Sequence, residues 1–569
     1  MGEPSMTSSR FPGQGPGNLV ERTLHRVFPC VGIGLMFVLL GAWADEARGQ
    51  VQQHAGHRLG TVDLPISCSK QAQVEFNRAI ALLHHMTYPQ AREAFDRVAA
   101  TDPQCAMAHW GIAMTLFQPL WPTRPGRAEL RRGWEAVQTA RTLGAPTERE
   151  RLLVDAAAEF FREPESQGYW PRIRRWEQAM QRAYVAFPQD PEVAAFYALA
   201  HLAIAPADQI SRAHSDRAAT ILLDVYERNP DHPGAMHYLV HANDTPGRES
   251  ELLEIIRKYE TTAPRNPHAL HMPTHIYTRL GDWDAVIRGN LRAAEAALEH
   301  PAGESGQFVW DEFPHAIEYL IYADIQKGAD DEAAAQLRRL YATARLQPTF
   351  KTAFHLASTR ARYALERRAW PEAMSLVPRD PPTLAWDRFP WPEAVIWFAR
   401  GLGAAREGRV EEARRARQRL EELEAAASNA GEELFARNIR ILRLGLDAWL
   451  AQVARDAETS VTLMRQAVDL EAATPKHAVT PGPTLPSHEL LGDLLMEQGK
   501  PAEALAAYER SLALYPRRFN SLLGAARAAR ATGDESRART FYRELLAVAG
   551  GGTRKPALQE AQDYVGRRR

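Results

Sequence analysis

Small and aromatic apolar residues recur at fixed spacings between polar residues along much of this chain. In residues 485–516, a Leu-Gly pair is followed by Ala504 and Tyr508, and Pro516 ends the segment. This spacing predicts a helix, a turn and a second helix whose apolar faces meet. The same order of residues begins again at Phe519, so the pattern predicts repeated helical hairpins.

The hairpin pattern resembles the tetratricopeptide (TPR) repeat, a helix-turn-helix unit of 34 residues. The first unit contains QAREAFDRVAATDP, and another good match is IWFARGLGAAREGRVEEARRA. Other units are degenerate and are separated by insertions. We therefore predict an all-α, TPR-like α-solenoid, a right-handed superhelix of about eight to ten helix pairs.

Composition shifts and proline-rich breaks divide the chain into seven parts. They are a signal peptide (1–44), a leader segment (45–70), an irregular TPR-like array (71–345), degenerate helical repeats (346–470), a Pro-rich linker (471–484), two regular TPR repeats (485–550) and a C-terminal tail (551–569).

The composition is typical of a folded helical protein, and its basic and acidic residues are nearly equal in number. The chain has 569 residues, 45% hydrophobic and 24% charged, with 69 Lys and Arg against 70 Asp and Glu. Ala, Leu, Arg and Glu dominate, and runs of β-branched residues are scarce. The near-zero net charge argues against nucleic acid as a partner.

The N-terminal region has the features of an export signal. Arg22, His25 and Arg26 precede an apolar stretch at 27–44, which ends in the letters AWA. This order is typical of a cleaved signal peptide. An uncleaved anchor helix is the alternative, although Pro29 and the short length favour cleavage. We expect an exported, periplasmic protein without a membrane span after cleavage, or a membrane-anchored one if the signal remains.

Two cysteines lie beyond the signal, Cys68 and Cys105. In an exported protein such a pair is a candidate disulfide, which would join the two ends of the first repeat. The alternative is two unrelated thiols.

Two histidine pairs lie one repeat apart. His237 and His241 form one H-x-x-x-H pair, His271 and His275 form another, and the corresponding positions differ by 34 residues. Residues four apart share a helix face, and equivalent positions in stacked repeats face the same way. We therefore expect four imidazoles to converge on one patch of one surface.

The segments around these pairs resemble a family of exported bacterial TPR-domain proteins. The resemblance rests on stretches such as DPQCAMAHWGIAM, HPGAMHYLVHAND and PHALHMPTHIYTRLGDWD, and it covers most of residues 65–550. It supports the architecture and implies no established activity.

The TPR resemblance also implies that repeat positions 2, 5 and 9 face a concave groove. Repeats that start at Pro233 and Pro267 place several histidines there. These are His237, His241, His268, His271 and His275.

The next unit, counted from Pro314, adds two polar residues to the same strip. His315 takes position 2 and Glu318 takes position 5, while His355 takes position 2 of the unit after it. Both His315 and Glu318 are therefore candidate members of the cluster.

Neutral imidazoles are good ligands for transition metals, and we predict a Zn, Cu or Fe ion in the groove. Six histidines with one carboxylate suit one ion with an outer shell, or two ions. If the protein is an enzyme, the metal would activate water or oxygen and Glu318 would be the candidate base. The sequence has no H-E-x-x-H zincin motif and no C-x-x-C-H haem motif, and its catalytic residues are unknown.

Pro273 lies between His271 and His275 and complicates this prediction. Proline removes a backbone donor and pushes the preceding residue, Met272, away from helical geometry. Either the helix bends at the site, or a new helix starts near Thr274.

A second class of function is also consistent with the sequence. TPR grooves commonly bind peptides or proteins, so the chain is alternatively a scaffold for protein–protein interaction without a metal, whose histidines serve as hydrogen-bonding contacts.

Overall fold

The computed structural model describes residues 58–121, 124–165, 168–207, 211–248, 252–303, 305–550 and 555–566. The predicted signal peptide and the N-terminal part of the leader lie outside the described residues. The described chain is built almost entirely of helices, which confirms the all-α prediction.

The helices up to the middle of the chain pack mainly against their neighbours in sequence. They are α1 Lys70–His84, α2 Tyr88–Thr101, α3 Ala106–Met114, α4 Arg127–Leu143, α5 Glu148–Phe161, α6 Tyr169–Ala186, α7 Pro191–Ile204, α8 Ser211–Arg228, α9 Pro233–Asn243, α10 Leu253–Thr262, α11 Pro267–His271, α12 Pro273–Leu280, α13 Trp283–Leu298 and α14 Glu312–Gln326.

The second half continues in the same manner. Its helices are α15 Asp330–Ala342, α16 Phe350–Glu366, α17 Trp370–Ser375, α18 Pro390–Arg406, α19 Val410–Asn429, α20 Glu433–Val453, α21 Ala457–Ala472, α22 Ser487–Glu497, α23 Pro501–Leu514, α24 Phe519–Ala531, α25 Glu535–Ala549 and α26 Pro556–Gly566.

Little other regular structure occurs in the described part of the chain. Single 3-10 turns lie at Ala205–Ala207 and Trp386–Arg388. Strands β1 (Pro301–Ala302) and β2 (Phe308–Val309) form a short antiparallel pair in the insertion before α14. None of the described helices combines the length and the apolar character that a bilayer crossing requires.

The two helices that carry most of the histidines start alike. Each has proline at its first position, where no backbone donor is needed. The residue before it caps the helix: His232 Nδ1 accepts from the Ala235 amide at 3.1 Å, and Asn266 Oδ1 accepts from the Ala269 amide at 2.9 Å. These local signals fix where α9 and α11 begin, and hence which way their histidines point.

A disulfide joins Cys68, just before α1, to Cys105, which caps α3, with 5.2 Å between the Cα atoms. It ties the entry of the first repeat to the start of the second.

Sequence-distant repeats meet at the C-terminal end of the array. Arg518, which is fully buried, binds both oxygens of Glu366 at 2.9 Å and the Tyr322 hydroxyl at 2.9 Å. The Phe519 amide donates to Gln326 at 3.0 Å. The C-terminal repeats therefore pack against α14 and α16.

The segment 471–484 also packs against this part of the fold. Val479 is fully buried, and His477 lies against Trp391 and Phe435. The segment predicted as a linker is thus part of the wall around the histidines. In the predicted tail, α26 packs on α25 through the buried Leu558 and Ala561.

Candidate metal centre

Three histidines from α9 and α11 converge and form what we term the first triad: His237, His241 and His268. His237 and His241 lie one helical turn apart on α9, with 3.2 Å between their Nε2 atoms. His268 approaches from α11, and its Nε2 lies 3.0 Å from His237 Nε2. The three rings therefore present ring nitrogens to one point.

The second triad consists of His271, His275 and His315. The Nε2 atoms of His271 and His275 lie 3.0 Å apart, and the His315 ring from α14 packs 4.2 Å from the His271 ring. One ring nitrogen from each of the three lies within 4.8 Å of the other two.

The two triads are neighbours. The rings of His241 and His275 are 6.0 Å apart, and those of His268 and His271 are 6.2 Å apart. The structure thus brings all six predicted histidines together, but it divides them differently from the sequence prediction. His268 joins the first pair, and His315 joins the second.

A separate helix starts at Pro273, next to the predicted start at Thr274, but the backbone between α11 and α12 stays helical. Met272 has φ −54° and ψ −42°, which is helical, so the prediction that proline would push it out of this region was wrong. The Met272 amide still bonds His268, and the Thr274 hydroxyl donates to the His271 carbonyl at 2.6 Å. His271 and His275 consequently stay on one face.

In the first triad, hydrogen bonds at Nδ1 fix the tautomers. His237 Nδ1 donates to the His84 carbonyl oxygen, which can only accept. His268 Nδ1 donates to Glu312 at 3.2 Å. Burial would raise the pKa of Glu312, but Lys351 and His268 outweigh it and hold that pKa well below its usual range. Because burial lowers the pKa of His237 and keeps its ring neutral, its Nε2 atom carries a lone pair.

Hydrogen bonds at Nδ1 also fix the tautomers of His271 and His275 in the second triad. His271 Nδ1 donates to Asn290 Oδ1 at 2.7 Å, and the Asn290 amide group is oriented by the Val286 carbonyl. His275 Nδ1 donates to Asp244 at 2.7 Å. Burial would raise the pKa of Asp244, but the nearby cations, chiefly Lys476, keep it well below its usual range.

The Nε2 lone pairs of His271 and His275 face one another at 3.0 Å without a proton to share, and the His237 Nε2 lone pair faces the Nε2 atoms of His241 and His268. Burial lowers the pKa of His237 and His271 well below 6.5 and that of His275 to about 4, so the rings are neutral at pH 7. A cation between the rings removes this repulsion. Tetrahedral ligation at 2.0–2.1 Å would place nitrogens about 3.3 Å apart, close to the observed spacing.

His315 is oriented by a chain of polar groups. His355 Nδ1 donates to Glu318, and His355 Nε2 lies at hydrogen-bonding distance, 3.0 Å, from His315 Nδ1. His315 Nε2 is buried and has no hydrogen-bond partner in the described structure. It is aimed at the second triad as a ligand atom would be.

Glu318 does not reach either triad. Its oxygens bind His355 and the Ser358 hydroxyl, with Arg362 at 3.5 Å. The repeat register predicted that Glu318 would lie beside His315 as a ligand or base. The structure instead places it behind His355, because the side chain points toward α16 rather than toward α11.

A third buried cluster, His84, Glu192 and His232, differs from the triads. His84 Nε2 bonds Glu192 at 2.7 Å, and His232 Nε2 lies 3.1 Å from the other carboxylate oxygen. His84 Nδ1 lies 3.0 Å from the Tyr238 hydroxyl, and His232 Nδ1 accepts from the Ala235 amide. These imidazole nitrogens therefore meet carboxylate, hydroxyl or backbone groups, and the cluster braces the His84 carbonyl that orients His237.

Sequence reasoning missed the residues that hold the triads, namely Glu312, Asn290 and His84, and gave Asp244 only a minor role. They come from separate helices, and neither a motif nor a spacing marks them. Carboxylate or amide partners at the far nitrogen are typical of metal-bound histidines.

The triads are enclosed rather than exposed. The His237, His268, His271, His275 and His315 side chains are almost completely buried, and only His241 is partly exposed. The prediction of a patch on an open groove was wrong, because the 471–484 segment and the C-terminal repeats cover this strip.

One cavity of about 430 Å³ adjoins the first triad. His241, Asp244 and Trp121 are among the residues that line it. Three histidines per ion leave a coordination position for an exogenous ligand, as in catalytic rather than structural sites. Such ions can polarise a bound oxygen ligand.

Comparisons with known proteins support the fold. A family model described as tetratricopeptide repeat matches residues 76–118 and 490–552. No curated protein matches the chain.

Two solved structures are similar in part. One is the APC/C hetero-tetramer Cut9–Hcn1, at 14% identity over 87% of this chain and 90% of that chain, with a TM-score of 0.29. The other is a tetratricopeptide repeat protein from Parabacteroides merdae, at 15% identity over 53% of this chain and 99% of that chain, with a TM-score of 0.27.

Proposed function

We propose that this tetratricopeptide-repeat protein binds two transition-metal ions, one in each histidine triad. Zinc, copper and iron are the candidates, because neutral imidazole suits all three. We further propose that the ions act on a ligand held in the adjoining cavity, as in a metalloenzyme.

The opposed Nε2 lone pairs carry this proposal. In the second triad, the neutral His271 and His275 donate from Nδ1 and face each other through Nε2 at 3.0 Å. In the first triad, the Nε2 lone pair of the neutral His237 faces His241 Nε2 at 3.2 Å and His268 Nε2 at 3.0 Å. Leaving such atoms buried and unpaired is costly. Two metal ions would satisfy them, and the acceptors Glu312, Asn290 and Asp244 would orient the rings.

Metal analysis of the chain, purified without a histidine tag, tests the proposal. We expect two ions per chain, falling to one in His237→Ala and to one in His271→Ala. His109→Ala, a half-buried histidine outside both triads, is the control and should keep two. A metal content below about one-tenth of an equivalent per chain, with no metal uptake on reconstitution, would refute the proposal.

TPR repeats in general present surfaces that bind proteins, and the two regular C-terminal repeats match the family model. A scaffold function therefore stands beside metal binding. It would use a surface other than the histidine strip, which the chain itself covers.

We also propose export to the periplasm, with membrane anchoring as the alternative. The disulfide between Cys68 and Cys105 supports an oxidising compartment. Cell fractionation with N-terminal sequencing of the mature protein tests this; a reduced cytoplasmic protein would contradict it.

A further inference from the structure

The cavity beside the first triad has the chemistry of a ligand site. Its volume, about 430 Å³, is in the range of pockets that hold small organic molecules. Trp121 and Trp170 line it, as do Phe435 and Tyr515. These aromatic side chains offer flat apolar walls.

Basic groups outnumber the carboxylate around Asp244 in the cavity lining. Lys476 and Arg279 both bind this single carboxylate, at 2.7 and 2.8 Å. That carboxylate also accepts from His275. One carboxylate thus serves two basic groups, which leaves an excess of positive charge around Asp244, although burial lowers the pKa of Lys476.

The other lining charges do not cancel this excess. Arg124 and Glu432 pair with each other at 3.3 Å. Arg212 adds a further cation at the lining. Glu471 adds only part of a negative charge near neutral pH, because burial raises its pKa to about 7.

Lys476 is placed to receive an anion. Its Nζ donates to Asp244 at 2.7 Å and to the Thr480 carbonyl at 2.8 Å. An ammonium group has three donors, and the Lys476 side chain is 12% exposed at the cavity. Ions held by uncharged histidines would keep their full charge and add to the field, a contribution that rests on the proposed function.

We infer that this cavity binds a small aromatic carboxylate, with the carboxylate directed at Lys476 and the first triad and the ring between the tryptophan side chains. Aromatic walls supply area for a flat ring, and the uncompensated cation supplies the preference for an anion.

Calorimetric titration of the purified full-length chain with benzoate tests this inference. We expect benzoate to bind about tenfold or more tightly than benzamide, which has the same shape without the charge. Lys476→Met should remove that preference. Lys500→Met, an exposed lysine outside the cavity, is the matched control and should bind benzoate as the parent chain does.

A second variant and further ligands distinguish the possible results of this titration. If Lys476→Met unfolds, Arg124→Gln replaces it and should weaken benzoate by about threefold or more. Equal binding of benzoate and benzamide, or tighter binding of phenyl phosphate, would overturn the inference while leaving the metal proposal intact. Lys476-dependent benzoate binding by a chain that takes up no metal would uphold the inference and defeat the metal proposal.

Discussion

At the scale of single residues, the position of one proton on each imidazole decides what the triads can bind. His237 and His275 donate from Nδ1 to groups that are fixed as acceptors, the His84 carbonyl and the Asp244 carboxylate. The other nitrogen is thereby committed as a lone pair. A histidine with an oxygen at both nitrogens would be an ordinary buried polar residue.

Asp244 is the residue whose loss should affect the most partners. It accepts from His275, Arg279 and Lys476 and is nearly buried. In Asp244→Asn, two buried cations lose their counter-charge, so we expect a loss of about 3–5 kcal/mol in the free energy of unfolding. Metal affinity should also fall, by about 10- to 100-fold at the second triad.

Urea unfolding measures the first effect and metal titration the second. Asp447→Asn is a matched control, since Asp447 pairs with Arg417 and Arg443 at a more exposed position. It should cost under about 1 kcal/mol. Equal stabilities for the two variants would contradict the central role of Asp244.

At the scale of helices, the close approach of α1 to α9 positions the first triad. Gly234 lies at the start of α9, and a Cβ there would come within 2.5 Å of His84 Nδ1. The His84 ring is held by Glu192 and Tyr238 and cannot easily move. Glycine at this position lets the His84 carbonyl reach His237.

Gly234→Ala should therefore separate α1 from α9. We expect a loss of about 1–3 kcal/mol in stability from overpacking and weaker retention of the ion in the first triad, with the second triad unaffected. Thermal unfolding and metal analysis measure both effects.

Gly445→Ala serves as the control for this substitution. Its Cβ would meet its nearest neighbours at 3.6 and 3.8 Å within a helix, and it should be neutral or stabilising by up to about 1 kcal/mol. If Gly234→Ala is as stable as this control, the close packing of α1 on α9 is not what positions His237.

At the scale of the whole molecule, burial couples stability to pH. Burial lowers the pKa of His85 and His477 to about 3 and that of His275 to about 4. In the unfolded chain these groups titrate near 6.5. Below that pH the unfolded state binds more protons, so stability falls as pH decreases.

For the metal-free protein, we expect the contribution of these histidines to the free energy of unfolding to be constant above pH 6.5. It should fall as the pH decreases from 6.5 to about 4. Each such histidine contributes up to about 1.4 kcal/mol per pH unit. Asp324 and Glu471, whose pKa values burial raises to about 7, oppose the trend but are outnumbered.

Urea unfolding across this pH range, with and without a chelator, tests the coupling. The ordinary histidine pKa predicts metal release near pH 6, whereas these lowered values move release to a more acidic pH. At pH 6, the protein measured without chelator should therefore still be more stable than the protein measured with chelator. Stability that rises as the pH falls from 6.5 to 4.5 would refute this account.

The sequence by itself determined the local features of this protein. The spacing of apolar residues predicts the helical hairpins, and proline after a capping residue predicts the starts of α9 and α11. The i, i+4 spacing predicts that His237 faces the same way as His241. These features depend only on chain geometry within one or two turns, which residues near in sequence dictate.

The tertiary structure alone decided how the histidines are grouped and what surrounds them. His268 joins His237 because of how α11 packs on α9, and Glu318 turns toward His355 because α16 packs beside α14. Glu312, which holds the far nitrogen of His268, lies 44 residues from it, and Lys476 comes from a segment more than 190 residues after α12. Packing angles between helices set these contacts, and no residue spacing encodes them.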